Sequence, residues 1–354
     1  MSRFFSSKLD KLVPYVPGEQ PKERDYVKLN TNESPFPPSS KAIKYAGEAA
    51  NLLQLYPDPD CKMLTEKVAE VLGVDPQEVL LTNGSDEILN FAFMAFCDER
   101  SPAIFPDITY GFYTVFAQLN NVPYEEIPLE EDFTINTGSY MGNRGTIFIA
   151  NPNAPTGIAL SVAEIEEILQ RNPDHVVVID EAYVDFGTES CVPLIRKYDN
   201  LLVTQTFSKS RSMAGARLGF GVGCKALIQD LNTVKYSTNP YNINRMTMAA
   251  GLGVMEDEAY TKANCKAIVE NREYTKKALK ELGFTMTDSK ANFVFARHPE
   301  IEGVKLYQAL KNKGILVRHF DKSRLTQYNR ITVGSRAEME ALITAIEAIL
   351  EEQQ

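Results

Sequence analysis

The sequence predicts an α/β protein: a large domain with a mostly parallel sheet flanked by helices, followed by a smaller α+β domain. Short apolar runs alternate with helix-like stretches, and one of them, Val176-Val-Val-Ile179, is the β-branched run expected of a strand buried on both faces. Several runs end in polar residues, as strands do where a parallel sheet gathers its ligands. With 354 residues the chain exceeds a usual single domain. Residues 1–29 are expected to form an N-terminal arm packing with the small domain, 30–255 the large domain and 256–354 the small one.

The elements follow in order. The arm mixes Pro14, Pro17, Gly18 and Pro21 with charges. Asn30-Thr-Asn-Glu-Ser-Pro-Phe-Pro-Pro38 is an extended, turn-rich stretch, because each proline biases its predecessor away from helix. After the turn Tyr56-Pro-Asp-Pro59, a helix runs from about Lys62 to Leu72 and is closed by Gly73. Val79-Leu-Leu-Thr82 is a strand, and Gly84, Ser85 and Asp86 open the helix that runs on through Phe96. The first N–H groups of that helix are free to receive a phosphate. Ile104-Phe105 makes another strand, and the turn after it delivers Tyr110, an aromatic that can stack on a flat ring or pack.

Thr146-Ile-Phe-Ile-Ala150 runs into Asn151-Pro-Asn-Ala-Pro-Thr-Gly157, after which Ser161 and Glu164 form a capping box for a helix to about Gln170. The Val176 strand ends in Asp180-Glu-Ala-Tyr183, and Leu201-Leu-Val203 feeds a loop of small residues that carries Lys209. Another strand begins at Leu218. Beyond it a long helical stretch, Glu256 to Leu282, is closed by Gly283, and strand-like pieces at 293–295, 315–317 and 331–333 alternate with helices. Ser335 and Glu338 cap the last helix.

Asn151, Asp180, Tyr183 and Lys209 all fall at strand ends, which marks an active site. Lys209 lies between Ser208 and Ser210, with Thr206 and the Arg217 guanidinium close in sequence, so the loop offers an amine beside phosphate donors. That pairing suggests pyridoxal 5'-phosphate held as a Schiff base on Lys209. A formal charge of −10 argues against a nucleic-acid surface. Five dispersed cysteines fit reduced thiols, and no segment has the apolar length of a membrane span or an export signal, so a cytoplasmic protein is expected. The three histidines lie far apart, and no metal is expected.

Taken in order, Asn151 to Gly157, Asp180-Glu-Ala-Tyr183, Thr206-Phe-Ser-Lys209 with Arg217, Pro240-Tyr-Asn-Ile-Asn244 and Asn329-Arg-Ile-Thr-Val-Gly334 resemble the fold type I pyridoxal-phosphate aminotransferases. Within them the chain is most similar to the histidinol-phosphate aminotransferases, from about Tyr15 to the final helix. The resemblance implies that Lys209 holds the cofactor and shuttles a proton, that Asp180 keeps the ring nitrogen protonated, and that Tyr183 and Asn151 donate to the ring hydroxyl oxygen. It further implies that Tyr110 stacks on the ring and that Gly84, Ser85, Asp86, Thr206, Ser208 and Arg217 surround the phosphate. Arg330, Arg318, Tyr15 and Asn30 are implied as substrate contacts. Tyr56, reaching over from a second copy in a homodimer, is implied at both the cofactor and the substrate.

The expected reaction is transamination between L-histidinol phosphate and 2-oxoglutarate. An aromatic-amino-acid aminotransferase, a threonine-phosphate decarboxylase and a pyridoxal-phosphate-binding regulator share the frame. Ala154 stands where the asparagine-proline loop often repeats Asn, a change expected not to touch the cofactor.

Overall fold

Seven strands and the helices between them build the large domain of the computed structural model, which describes residues 2–10, 12–21 and 25–352. Residues 1, 11 and 22–24 of the expected arm lie outside the described residues. The described end of the arm carries a short strand, β1 (Val27–Lys28). Two helices follow, α1 (Ser40–Ala49) and α2 (Lys62–Leu72), the second closed by Gly73 in the left-handed region. Then come β2 (Val79–Thr82), α3 (Ser85–Phe96), β3 (Ala103–Pro106), α4 (Phe112–Leu119), β4 (Tyr124–Ile127) and β5 (Thr146–Ala150). After α5 (Val162–Arg171), begun by the Ser161–Glu164 capping box, the strands β6 (Val177–Asp180), β7 (Leu201–Thr206) and β8 (Gly219–Gly223) complete the sheet.

The strand order is β2-β8-β7-β6-β5-β3-β4, and every neighbouring pair is parallel except the two that β8 makes. Side chains alternate across the sheet and divide the core in two. Val177, Ile179, Leu201 and Val203 pack with Val68, Ile165 and Val254 on one face. Val178, Leu202 and Phe148 pack with Phe93, Tyr113 and Phe116 on the other. Asp180 shares the parity of Val178, and it stands opposite Thr204 in the β6–β7 register. That alternation aims the Asp180 carboxylate at the α3–α4 side.

Two helices unanticipated from the sequence, α6 (Lys225–Thr238) and α7 (Arg245–Met255), lead to α8 (Glu258–Glu281). The small domain holds β9 (Thr285–Met286), β10 (Phe293–Arg297), α9 (Gly303–Asn312), β11 (Ile315–Leu316), β12 (Arg318–His319), β13 (Asn329–Thr332) and α10 (Arg336–Glu351). Its antiparallel sheet runs β12-β13-β10-β9. The strand expected at 315–317 is split. β11 pairs in parallel with β1, while β12 turns to pair with β13, so the arm's end is a strand of the small domain.

The start of β8 runs directly beneath the first turn of α3. A Cβ on Gly219 would lie 2.4 Å from the Ser85 backbone nitrogen and 2.5 Å from the Gly84 carbonyl carbon. Gly219→Ala is therefore expected to destabilise the fold by about 1–3 kcal/mol through overpacking. Gly47→Ala, in a helix with nothing within 4 Å of the new methyl, is expected to stabilise it by roughly 0.5–1 kcal/mol. Urea denaturation monitored by circular dichroism checks both, and an unchanged midpoint for Gly219→Ala would contradict the tight junction.

Candidate active site

A cavity of about 390 Å³ opens beyond the carboxyl ends of β5, β6 and β7. Its walls carry Ser85, Asp86, Tyr110, Asp180, Tyr183, Thr206, Ser208, Lys209 and Arg217, together with Gln20, Thr31, Glu33 and Ala154. Clefts of about 650 Å³ beside Lys235 and about 820 Å³ beside Gln205 are larger, yet neither gathers a comparable set of donors around an amine. Chemistry decides here, not size.

Lys209 follows β7, and its Nζ donates to the Thr31 carbonyl at 3.2 Å and lies 5.9 Å from the centre of the Tyr183 ring. Loss of solvent and then the charge of Arg330 push its pKa down to about 8, against the opposing pull of Glu33 and Asp86. Asp180 is buried, and desolvation pushes its carboxyl up to about 6, opposed by hydrogen bonds from Tyr113 Oη and Thr204 Oγ1, each at 3.2 Å. Tyr183 is buried as well, and burial pushes its phenol up. Its oxygen accepts from Asn32 Nδ2 at 2.9 Å.

The anion end of the cavity is built from backbone and hydroxyls. Gly84, at φ +74°, precedes α3 without a side-chain cap, so the first N–H groups of that helix are left free. A Cβ on Gly84 would sit 2.7 Å from Arg217 Nη2. Thr206 Oγ1 donates to Ser208 Oγ at 3.0 Å, and Arg217 Nη1 donates to Ser208 Oγ at 3.5 Å. Asp86 accepts from Arg217 Nη2 at 2.9 Å and from Tyr110 Oη at 2.6 Å, so its carboxylate orients those two side chains. An amine of depressed pKa, a carboxylate, an aromatic face and a hydroxyl-lined helix N-terminus fit pyridoxal phosphate.

Asn151 Oδ1 accepts from Leu160 N at 2.8 Å and its Nδ2 gives one of its two protons to Leu160 O at 3.1 Å, which closes the proline loop and leaves the second amide proton uncommitted. The residue of that loop on the cavity wall is Ala154.

Arg330 lies beside the cavity. It donates to Asn30 O at 3.1 Å, and its enclosed Nε has no partner among the described residues. Arg318 faces it across the β12–β13 register and holds the carbonyls of Val16 and Pro17 at 3.2 and 3.4 Å. Tyr15 stacks on Phe112 with ring centres 4.4 Å apart, 6.5 Å from Tyr110. Asn30 is buried outside the cavity wall, where its Nδ2 donates to Glu19 O at 2.8 Å. Tyr56 is 78% exposed, stacks on Tyr241 and does not reach its own chain's cavity. Sequence reasoning missed Asn32, Tyr113 and Thr204, which touch Tyr183 and Asp180. Only Tyr113 carried a signal, one helical turn after Tyr110.

Residues 24–346 match the family model described as aminotransferase class I and II. The histidinol-phosphate aminotransferase of Brachyspira hyodysenteriae is 48% identical over 353 residues, which is 99% of each chain. That of Acinetobacter baumannii is 48% identical over 348 residues, 97% of this chain and 96% of the relative. A solved structure of histidinol-phosphate aminotransferase from Sinorhizobium meliloti, in complex with pyridoxal-5'-phosphate, shares the fold with a TM-score of 0.88 at 21% identity, covering 100% of this chain and 99% of that one.

A lysine pKa near 8 has a kinetic consequence. The amine is nucleophilic only when neutral, so capture of pyridoxal phosphate by the apoprotein is expected to speed up with pH to a half-maximal rate near 8 and then level off. Stopped-flow growth of the visible band checks it. A rate still climbing at pH 10, as for a lysine of pKa 10.5, would contradict the depressed value.

Proposed function

We propose that this chain, which belongs to the aminotransferase class I and II family, exchanges an amino group between L-histidinol phosphate and 2-oxoglutarate in histidine biosynthesis. The observation that carries this reading is the 48% identity, over 99% of both chains, to a histidinol-phosphate aminotransferase. The site supports it. Arg318 and Arg330 are cross-strand neighbours of like charge, an unfavourable pairing that a phosphate beside them would relieve. Among the described residues neither makes an ion pair with a carboxylate.

Pyridoxal phosphate, when bound, supplies the electron sink that makes an α-proton of the substrate removable. The side chains of this protein do the rest. Asp180, kept anionic by Tyr113 and Thr204 against its burial, holds a proton at the ring nitrogen. Ser85 N–H, Thr206, Ser208 and Arg217 would hold the cofactor phosphate, and Tyr110, fixed by Asp86, would lie against the ring. Lys209, with its pKa near 8, would carry the proton between the substrate α-carbon and the cofactor C4′, two atoms along. Arg330 orients the far end of the substrate, which converts its binding into positioning.

The working unit is a homodimer. Leu53, Leu55, Tyr56 and Met63, near one another in sequence, are 56, 55, 78 and 70% exposed, and Tyr56 stacks on Tyr241, apolar surface that supports a contact with a second copy. In this reading Tyr56 serves the partner's cavity. The four buried free cysteines, Cys61, Cys97, Cys191 and Cys265, support a reducing cytoplasm as the setting.

Two experiments test the proposal. In single half-reactions of cofactor-loaded protein, L-histidinol phosphate is expected to bleach the visible band fast and L-phenylalanine at least ~10-fold more slowly. Arg330→Leu should raise the histidinol phosphate requirement by roughly 100-fold, the loss of a charge-assisted anchor. Equal rates with phenylalanine would reassign the protein to aromatic amino acids, and release of carbon dioxide from threonine phosphate to a decarboxylase. Mixing inactive Tyr56→Ala and Lys209→Ala subunits should restore activity, because one site of each hybrid then has both native residues. No recovery would place Tyr56 outside the partner's site.

A further inference from the structure

We propose that Asn32, clamped by Thr332, is a positioning residue that turns the Tyr183 hydroxyl proton into the cavity, toward the ring oxygen of the bound cofactor. The inference rests on the pyridoxal phosphate reading above and adds a control that comes from the small domain.

The argument is a count of protons. A phenol has one proton to give and lone pairs to accept with. Tyr183 Oη lies 2.9 Å from Asn32 Nδ2, an amide nitrogen that can only donate. The amide is held that way round by Thr332. Thr332 Oγ1 accepts from the Asn32 backbone N–H at 2.9 Å, which leaves its own proton for Asn32 Oδ1, 3.1 Å away. The carbonyl oxygen of Asn32 is taken by Asn292 Nδ2 at 3.0 Å. Asn32 is buried, at φ +55°, a left-handed conformation that asparagine tolerates better than most residues. Asn32 therefore cannot accept from Tyr183. No other acceptor engages the phenol proton among the described residues, and the cavity that Tyr183 lines is where it is free to point.

Ala154 has no donor, and the Asn151 amide gives one of its two protons to Leu160. The aim of the Tyr183 proton depends on Thr332 of β13 and Asn292 just before β10, both small-domain residues. The charges acting on the phenol are those of Arg330, Asp180 and Asp86, with Lys209 over its ring and Glu33 and Arg217 acting on Lys209. A hydrogen bond to the ring oxygen stabilises its anion and weakens its hold on the proton at the lysine–cofactor linkage. Loss of the donor raises the pH at which the visible band titrates.

The test is a spectrophotometric pH titration of purified protein loaded with pyridoxal phosphate. Borohydride fixation and peptide mass first establish that the cofactor sits on Lys209; failure there would overturn the cofactor reading itself. Asn32→Asp is nearly isosteric, keeps the bond from Thr332, and presents a carboxylate that takes the phenol proton. It is expected to raise the band's midpoint by about one pH unit or more, as Tyr183→Phe does. In a Tyr183→Phe background it should add little, because both changes remove one interaction. Thr332→Val, which adds no charge, should shift the midpoint in the same direction by less. The proposal is overturned if Asn32→Asp leaves the midpoint in place, or shifts it equally with and without the Tyr183 hydroxyl, which would assign the effect to the added charge. Should Asn32→Asp not fold by circular dichroism, an unmoved midpoint in Thr332→Val overturns the proposal on its own.

Discussion

Asp180 is a buried carboxylate with no cation in ion-pair contact among the described residues, and the site is arranged around that unfavourable placement. A buried charge that lacks a partner shifts its pKa or waits for a ligand of opposite sign. Here two neutral donors, Tyr113 and Thr204, hold the anion part of the way, and under the proposed function a protonated ring nitrogen would supply the rest. Arg330 repeats the logic with the sign reversed. Its guanidinium has carbonyl oxygen, aromatic faces and one unpartnered nitrogen around it, an environment completed by an anion.

The placement of Asp180 was legible because it follows from alternation. Once Val176-Val-Val-Ile179 is a strand, the next residue has a fixed face, and the strand end in a parallel sheet has a fixed function. Lys209 and Arg217 were legible for a similar reason, as donors on a loop of small residues between two strands. The two bonds between the Asn151 amide and Leu160 were not legible, because only the fold brings Leu160 back to that loop.

What stayed hidden depends on contacts between distant parts of the chain. Nothing near Asn32 announces Thr332, which is 300 positions away, and the split of the 315–317 run into β11 and β12 depends on a strand in the arm. Helices α6 and α7 were missed because their apolar residues pack against several neighbours at once, which blurs a single helical stripe. The fold class is a property of local pattern, whereas the fine aim of each catalytic group is a property of the assembled domains.

The arm shows why that aim needs both domains. Tyr15 packs on Phe112 and Val13 N bonds Gln118, which ties the arm to α4 of the large domain. Arg318 holds the carbonyls of Val16 and Pro17, and Glu19 is bonded by Tyr307 and Lys311, which ties it to the small one. Asn30 closes the circuit, giving its amide proton to Glu19 O and its carbonyl to Arg330. Two residues further on, Asn32 joins Thr332 to Tyr183. The Arg330 guanidinium and the Tyr183 phenol are therefore held by one stretch of chain, 30–32, so under the proposed function the anion anchor and the cofactor's hydrogen bond would share one support.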